Sequence, residues 1–248
     1  MSDGLVQSGV RLYRVWDPVQ RIFHWLNVLC VMALVAVGTT ILWGAELGVS
    51  AEGKVLLKTV HVWVGYVFAA NLAVRIAWAF VGSPFSRWRA LLPFGRGYLQ
   101  SLRDFAAGAK AGHAPRYLGH NPIGRLMVTL LLLLMTVQAV SGLVLAGTDI
   151  YYPPLGAWVA GWVAAAGVDP ATLLPGDKTL VDAAAWAEMR AFRGPFIETH
   201  ETVYFIVLGA IALHIIGVVV GELREGGTLV SAMFSGRKAL DAPPVDQA

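Results

Sequence analysis

Charge is what this sequence has least of: 14% of its 248 residues are Asp, Glu, Lys or Arg, against 56% hydrophobic. A chain of this length with so few charges, and a mean hydropathy of +0.61, cannot clothe an ordinary water-facing domain. Cysteine is almost absent too. The single Cys30 sits inside an apolar run, which excludes a disulfide framework, a thiolate cluster and a C-x-x-C-H attachment site. It reads as a small buried hydrophobe. There is no phosphate-binding glycine loop and no nucleophile–base pattern, so the chain offers no catalytic centre of its own for an organic substrate. Internal repeats of fixed period and low-complexity segments are also missing.

Long apolar runs are abundant. Four reach the roughly 20 residues that hydrocarbon demands: Ile22–Trp43, Val60–Gly82, Leu126–Gly147 and Thr202–Gly221, each bounded by charge at Arg21, Lys58, Arg125, Glu201 or Glu222. The first is too long for a signal-peptide core and lacks a cleavage site, so it is expected to stay as a helix. These runs predict an all-α integral membrane four-helix bundle, a single domain over residues 1–238 followed by a disordered tail at 239–248. The shorter patch Leu155–Val168 predicts an interfacial helix with Trp158 and Trp162 at headgroup level. "GTLVSAMFSGRK" predicts a short helix on the inner membrane face.

The net charge of +3 is a matter of topology, not of nucleic acid. Residues 83–123 carry Arg87, Arg89, Arg96, Arg103, Lys110 and Arg116 against one acid, Asp104, which assigns that connection to the cytoplasm. The connection over 148–195 carries Asp149, Asp169, Asp177, Asp182 and Glu188 against Lys178, Arg190 and Arg193 and is expected outside. Both termini are then cytoplasmic, in a multi-pass protein whose basic loop meets anionic lipid.

Four of the six histidines, His24, His61, His200 and His214, lie in these spans or at their mouths. Ionisable groups are costly there and point to function by default. His200 and His214 stand fourteen residues apart, close to four helical turns, so both rings face one way about 21 Å apart along the axis. With alternate helices running in opposite directions, His61 pairs with His200 outside and His24 with His214 inside. Facing imidazoles on neighbouring helices are what a six-coordinate b-type haem requires, and bundle cores house such cofactors. Zinc wants four converging ligands, which two separated pairs do not supply. A proton relay would explain polar groups along a path, but not pairs at matched depth. Arg75, fourteen residues after His61, falls at the inner level, either to meet haem propionates or to snorkel. Gly38, Gly65, Gly142 and Gly209 could admit a macrocycle or simply mark helix contacts.

The segments "VWDPVQRIFHW", "HVWVGYVFAANLAVRIAWAFVG", "YLGHNPIGRL" and the histidine pair with its trailing "GTLVSAMFSGRK" resemble the bacterial cytochrome b561 and nickel-iron hydrogenase b-type cytochrome family. They span most of residues 15–238; the loop Thr148–Pro195 is where the resemblance is weak. The resemblance implies two haem b, with His24, His61, His200 and His214 as axial ligands, in the bacterial cytoplasmic (inner) membrane. It also implies a quinone site near the inner haem at His120, Asn121 and Arg125. "HNP" equally reads as a helix start, with Asn121 as cap and Pro122 as first residue. His120 is an alternative to His24 as inner ligand, and His113 is a loop residue. The implied function is an electron-transfer subunit of a quinone-linked oxidoreductase complex, working between a periplasmic-side oxidoreductase or c-type cytochrome and quinone. The competing reading is a stand-alone oxidase of superoxide or another small reductant.

Overall fold

The computed structural model describes residues 9–225 and 228–246. Four long helices dominate it: α1 (Pro18–Leu42), α2 (Ala51–Val81), α5 (Pro122–Ile150) and α7 (Ala183–Glu225). All four are long and apolar enough to cross a membrane, which makes the protein a four-helix membrane bundle. Short helices α3 (Trp88–Leu91) and α4 (Tyr98–Lys110) follow α2, α6 (Gly156–Val163) follows α5, and α8 (Leu229–Ser235) follows α7.

Each long helix begins in the same way. Asp17, Ser50, Asn121 and Asp182 accept the backbone N–H three residues on, at Gln20, Gly53, Gly124 and Ala185, over 2.7–3.0 Å. An N-cap of this kind satisfies one of the otherwise orphaned N–H groups of the first turn. Pro18 and Pro122 then occupy the first helical position, where a missing N–H costs nothing.

The chain divides into two compact units. The middle unit comprises Trp25–Ala73 and Leu133–Leu208; the terminal unit comprises the chain up to His24, Val74–Leu132 and the chain from Gly209. In the middle unit α6 buries Val159, Ala160 and Val163 against Leu173 and Met189. Met189 belongs to α7, which therefore starts well before the expected Thr202, and the connection expected over 148–195 shrinks to the residues between Ile150 and Ala183. The cause is composition: Glu188, Arg190, Arg193 and Glu198 make that segment too charged for hydrocarbon, yet it is rich in helix formers and packs through Met189. Helix α2 likewise starts at Ala51, not Val60.

In the terminal unit, β1 (Arg11–Arg14) pairs antiparallel with β2 (Arg237–Leu240), Arg11 opposite Leu240 and Arg14 opposite Arg237. Val15, Trp16, Leu118, Ala232 and Leu240 form a small core beneath this pair. Gly236 ends α8 with φ 77°, where a Cβ would sit 2.6 Å from the Trp16 carbonyl. The tail expected to be disordered from residue 239 is tied down instead. Asp241 takes a two-pronged ion pair from Arg116 at 2.9 and 3.0 Å. Asp246 accepts the N–H groups of Leu118 and Gly119 at 2.7 and 2.9 Å. Backbone pairing and charge override a composition that reads as unstructured; residues 1–8 of the expected domain and 247–248 of the expected tail lie outside the described residues.

Candidate functional site

In the middle unit His61 on α2 and His200 on α7 face each other with ring centroids 6.3 Å apart and planes at 74°. An imidazole nitrogen bonds a metal at about 2 Å, and the ring centroid lies ~1 Å behind it, so two rings flanking one metal put their centroids roughly 6 Å apart. The observed spacing fits that arrangement. Ser141 Oγ lies 2.9 Å from His200 Nδ1 and itself donates to the Val137 carbonyl at 2.8 Å. The second contact commits the hydroxyl hydrogen, so Oγ accepts from Nδ1–H and leaves His200 Nε2 with its lone pair available.

Space is reserved around both rings. A Cβ at Gly38 would come within 3.2 Å of His61 Cε1, and one at Gly142 within 3.2 Å of His200 Cε1. The cavity they line measures about 500 Å³, within the roughly 300–1,000 Å³ of cofactor pockets. Among the described residues no three His, Cys, Asp or Glu side chains gather as a bare metal centre would require. Paired imidazoles beside a large apolar slot suit a flat metal macrocycle.

The terminal unit brings His24 and His214 within electrostatic range of each other. Arg75 is 1% exposed, donates to the Ser86 carbonyl at 3.2 Å and lies 5.8 Å from the Phe23 ring centre. Its Nη2 is buried without a hydrogen-bond partner. A snorkelling arginine would reach water; this one is enclosed with a donor left over. Beside it Asp17 accepts hydrogen bonds from Ser83 at 2.6 Å, Ser86 at 2.8 Å and Trp78 Nε1 at 3.1 Å. Burial raises the Asp17 pKa, but bonds from Ser83, the Gln20 N–H, Trp78 and Ser86 outweigh it and bring it to about 2.

His120 rests against Trp16, ring centroids 4.9 Å apart. The residue is half-buried, with Nδ1 enclosed. Burial, then the positive charges of Arg75, Lys238, His214 and Arg125, push its pKa down to about 3. It is therefore a neutral imidazole at physiological pH, with Nδ1 buried and unpartnered. Asn121 serves as the α5 cap through Oδ1, which leaves its amide N–H groups for other partners. Arg125 donates to the carbonyls of Arg89 and Leu92 and lies 5.1 Å from the Tyr98 ring centre. His113 is an exposed loop residue, its Nδ1 2.9 Å from the Ala111 carbonyl. Cys30 is buried and free.

Sequence reading missed several of these groups. Asp17 was within reach, because Asp-Pro before an apolar run is a helix-start signal. Ser141 carried none, since serine is common in membrane helices. The buried Lys238, 3% exposed and donating to the Tyr117 carbonyl at 2.7 Å, lies in a segment whose composition suggests solvent.

Residues 15–236 match the family model of the prokaryotic cytochrome b561. The chain is 35% identical over 129 residues to the probable Ni/Fe-hydrogenase 1 B-type cytochrome subunit of Escherichia coli K12, covering 48% of this chain and 53% of that protein. It is 32% identical over 162 residues to the probable Ni/Fe-hydrogenase B-type cytochrome subunit of Rhizobium leguminosarum, 58% of this chain and 66% of that one. With the Cupriavidus necator counterpart it shares 29% identity over 180 residues, 65% and 70%. The alignments thus span 53–70% of these relatives. A family match across nearly the whole bundle, joined to paired imidazoles in a macrocycle-sized cavity, leads to one conclusion: the chain belongs to the prokaryotic cytochrome b561 family, as a multi-pass b-type cytochrome of the bacterial inner membrane.

Proposed function

We propose that the chain binds two haem b, one held by His61 and His200 and one by His24 and His214, and passes electrons between an external redox partner and the quinone pool. The partner is a hydrogenase, another dehydrogenase or a c-type cytochrome; the hydrogenase cytochromes among its relatives favour the first. The observation that carries the reading is the His61–His200 pair, at metal-bridging separation with His200 Nδ1 held by Ser141. Haem supplies a one-electron redox centre when bound. The chain supplies axial nitrogens, a slot opened by Gly38 and Gly142, and in Arg75 a buried cation for a carboxylate of the inner haem.

By the positive-inside rule the basic connection between α2 and α5 faces the cytoplasm, where it meets anionic lipid and carries the quinone site. His120, Asn121 and Arg125 form that site. Asn121 donates an amide N–H to a quinone carbonyl while its Oδ1 caps α5. The neutral His120 offers the otherwise unpartnered Nδ1 as a hydrogen-bond partner for the quinone. Arg125 fixes the Arg89–Leu92 turn beside them.

The test is stoichiometry followed by transfer. Pyridine haemochrome assay of the intact purified chain is expected to recover two b-type haems; one or none sinks the paired assignment. Asn121→Ser keeps a capping oxygen but removes the amide donor. It is expected to slow reoxidation by quinone while both haems stay bound, and an unchanged rate moves the quinone site elsewhere.

A further inference from the structure

The middle-unit cavity has a charged mouth that neither the ligands nor the apolar walls explain. Lys54, Lys58, Arg190, Arg193, Asp149 and Glu201 all line it, four cations against two carboxylates. Their register is that of the haem-facing residues. Lys54 and Lys58 precede His61 by seven and three residues, Arg190 and Arg193 precede His200 by ten and seven, and Asp149 follows Gly142 by seven. Steps of three, seven and ten keep to one helix face. The faces that bring the rings and the glycine to the cavity therefore also bring these charges.

Asp149 holds two of the cations, taking Lys58 Nζ on one oxygen and Arg193 Nη2 on the other, each at 2.8 Å. Arg193 is 8% exposed, and its Nε is buried with no hydrogen-bond partner. A buried guanidinium with one nitrogen paired and another empty is unfinished, since an unpaired charged donor is costly. Two positive charges remain in excess around the mouth, and the groups that best complete such an arrangement are two carboxylates.

We propose that this mouth is a two-carboxylate receptor: Arg193, Lys58, Lys54 and Arg190 receive the two propionates of the haem held by His61 and His200, and Asp149 is the positioning residue that fixes Lys58 and Arg193. The proposal rests on the reading that this unit binds haem. A cation beside the iron favours the reduced, less positive state, and an anion favours the oxidised one. Arg193→Gln and Lys58→Gln therefore lower the midpoint potential of this haem, and Asp149→Asn raises it. Lys54→Gln and Arg190→Gln, at exposed positions, lower it less. Arg193→Lys, which keeps the charge, stays near the wild type.

The experiment is a redox titration of the full-length holoprotein, following the component that His61→Ala removes. Opposite shifts in Arg193→Gln and Asp149→Asn, with Arg193→Lys close to wild type, support the receptor; a network that merely braced the helices would move both neutralising variants the same way. A component present in all variants but unmoved, or moved in one direction by both, overturns the receptor and leaves haem binding intact. A wild-type protein with no component that His61→Ala removes overturns the haem reading and the receptor with it.

Discussion

The two units are built by different means. In the middle unit the rings are set by helix faces: His61 and His200 meet at 6.3 Å across space that Gly38 and Gly142 leave open. In the terminal unit the polar contacts join segments far apart in sequence: Asp17 with Ser83 and Ser86, Lys238 with Tyr117, Asp246 with Leu118. Packing of regular helices fixes spacing with few polar contacts. A site assembled from loops and tails needs many, because each irregular stretch leaves backbone groups to satisfy.

Removing a histidine from either pair should strike one unit and spare the other. His61→Ala and His200→Ala are each expected to lose the same haem, halving the content by pyridine haemochrome, while His24→Ala and His214→Ala lose the other. Redox titration checks the grouping, and loss of one common component in His24→Ala and His61→Ala contradicts it.

Next in size, Asp17→Ala takes an ionised acceptor from three side chains and a backbone N–H, a cost on the order of 2–3 kcal/mol. Thermal loss of the haem that His24→Ala removes is expected at lower temperature, with the other haem little affected. The Asp17 pKa falls from an ordinary 3.8 to about 2. Its contribution is therefore complete above about 4 and is lost as pH drops toward 2, because the unfolded carboxyl binds protons first. Asp17→Asn is expected to flatten that part of the acid-stability curve.

Gly142→Ala tests the other unit. The added Cβ at 3.2 Å from His200 Cε1 forces the ring to give by a few tenths of an ångström, about 1 kcal/mol or more in a packed core. The expected result is a perturbed low-spin signal in electron paramagnetic resonance for the haem that His61→Ala removes, and an unaltered second signal. The smallest effect belongs to Ser141→Ala. Haem content stays whole, a hydrogen bond worth about 1 kcal/mol disappears, and His200 becomes a less basic ligand. The midpoint potential of that haem alone is expected to rise.

What could be read in the sequence follows the same division. The four spans, the register that brings His61 and His200 together and the Asn121 cap were legible, because periodicity and local capping leave a trace within one helix. The early start of α7 was hidden, since Arg190 and Arg193 look like loop charges until Asp149 is known to lie beside Arg193. The β1–β2 pair and the anchored tail were hidden for a related reason: a strand of four residues has no periodicity to speak of, and Arg116 gives no sign that its partner is Asp241.

That pairing also bears on biosynthesis. Every segment of the middle unit has been made once Leu208 leaves the ribosome. The terminal unit cannot close until much later, because Arg11 has Leu240 as its strand partner and the loop that opens α5 is secured by Asp246. With both histidine pairs holding haem as proposed, loading would be ordered in time: the site between His61 and His200 can be complete in a nascent chain, whereas the one beside His24 and His214 waits for residues 237–246, so a product stalled before them would emerge half-pigmented.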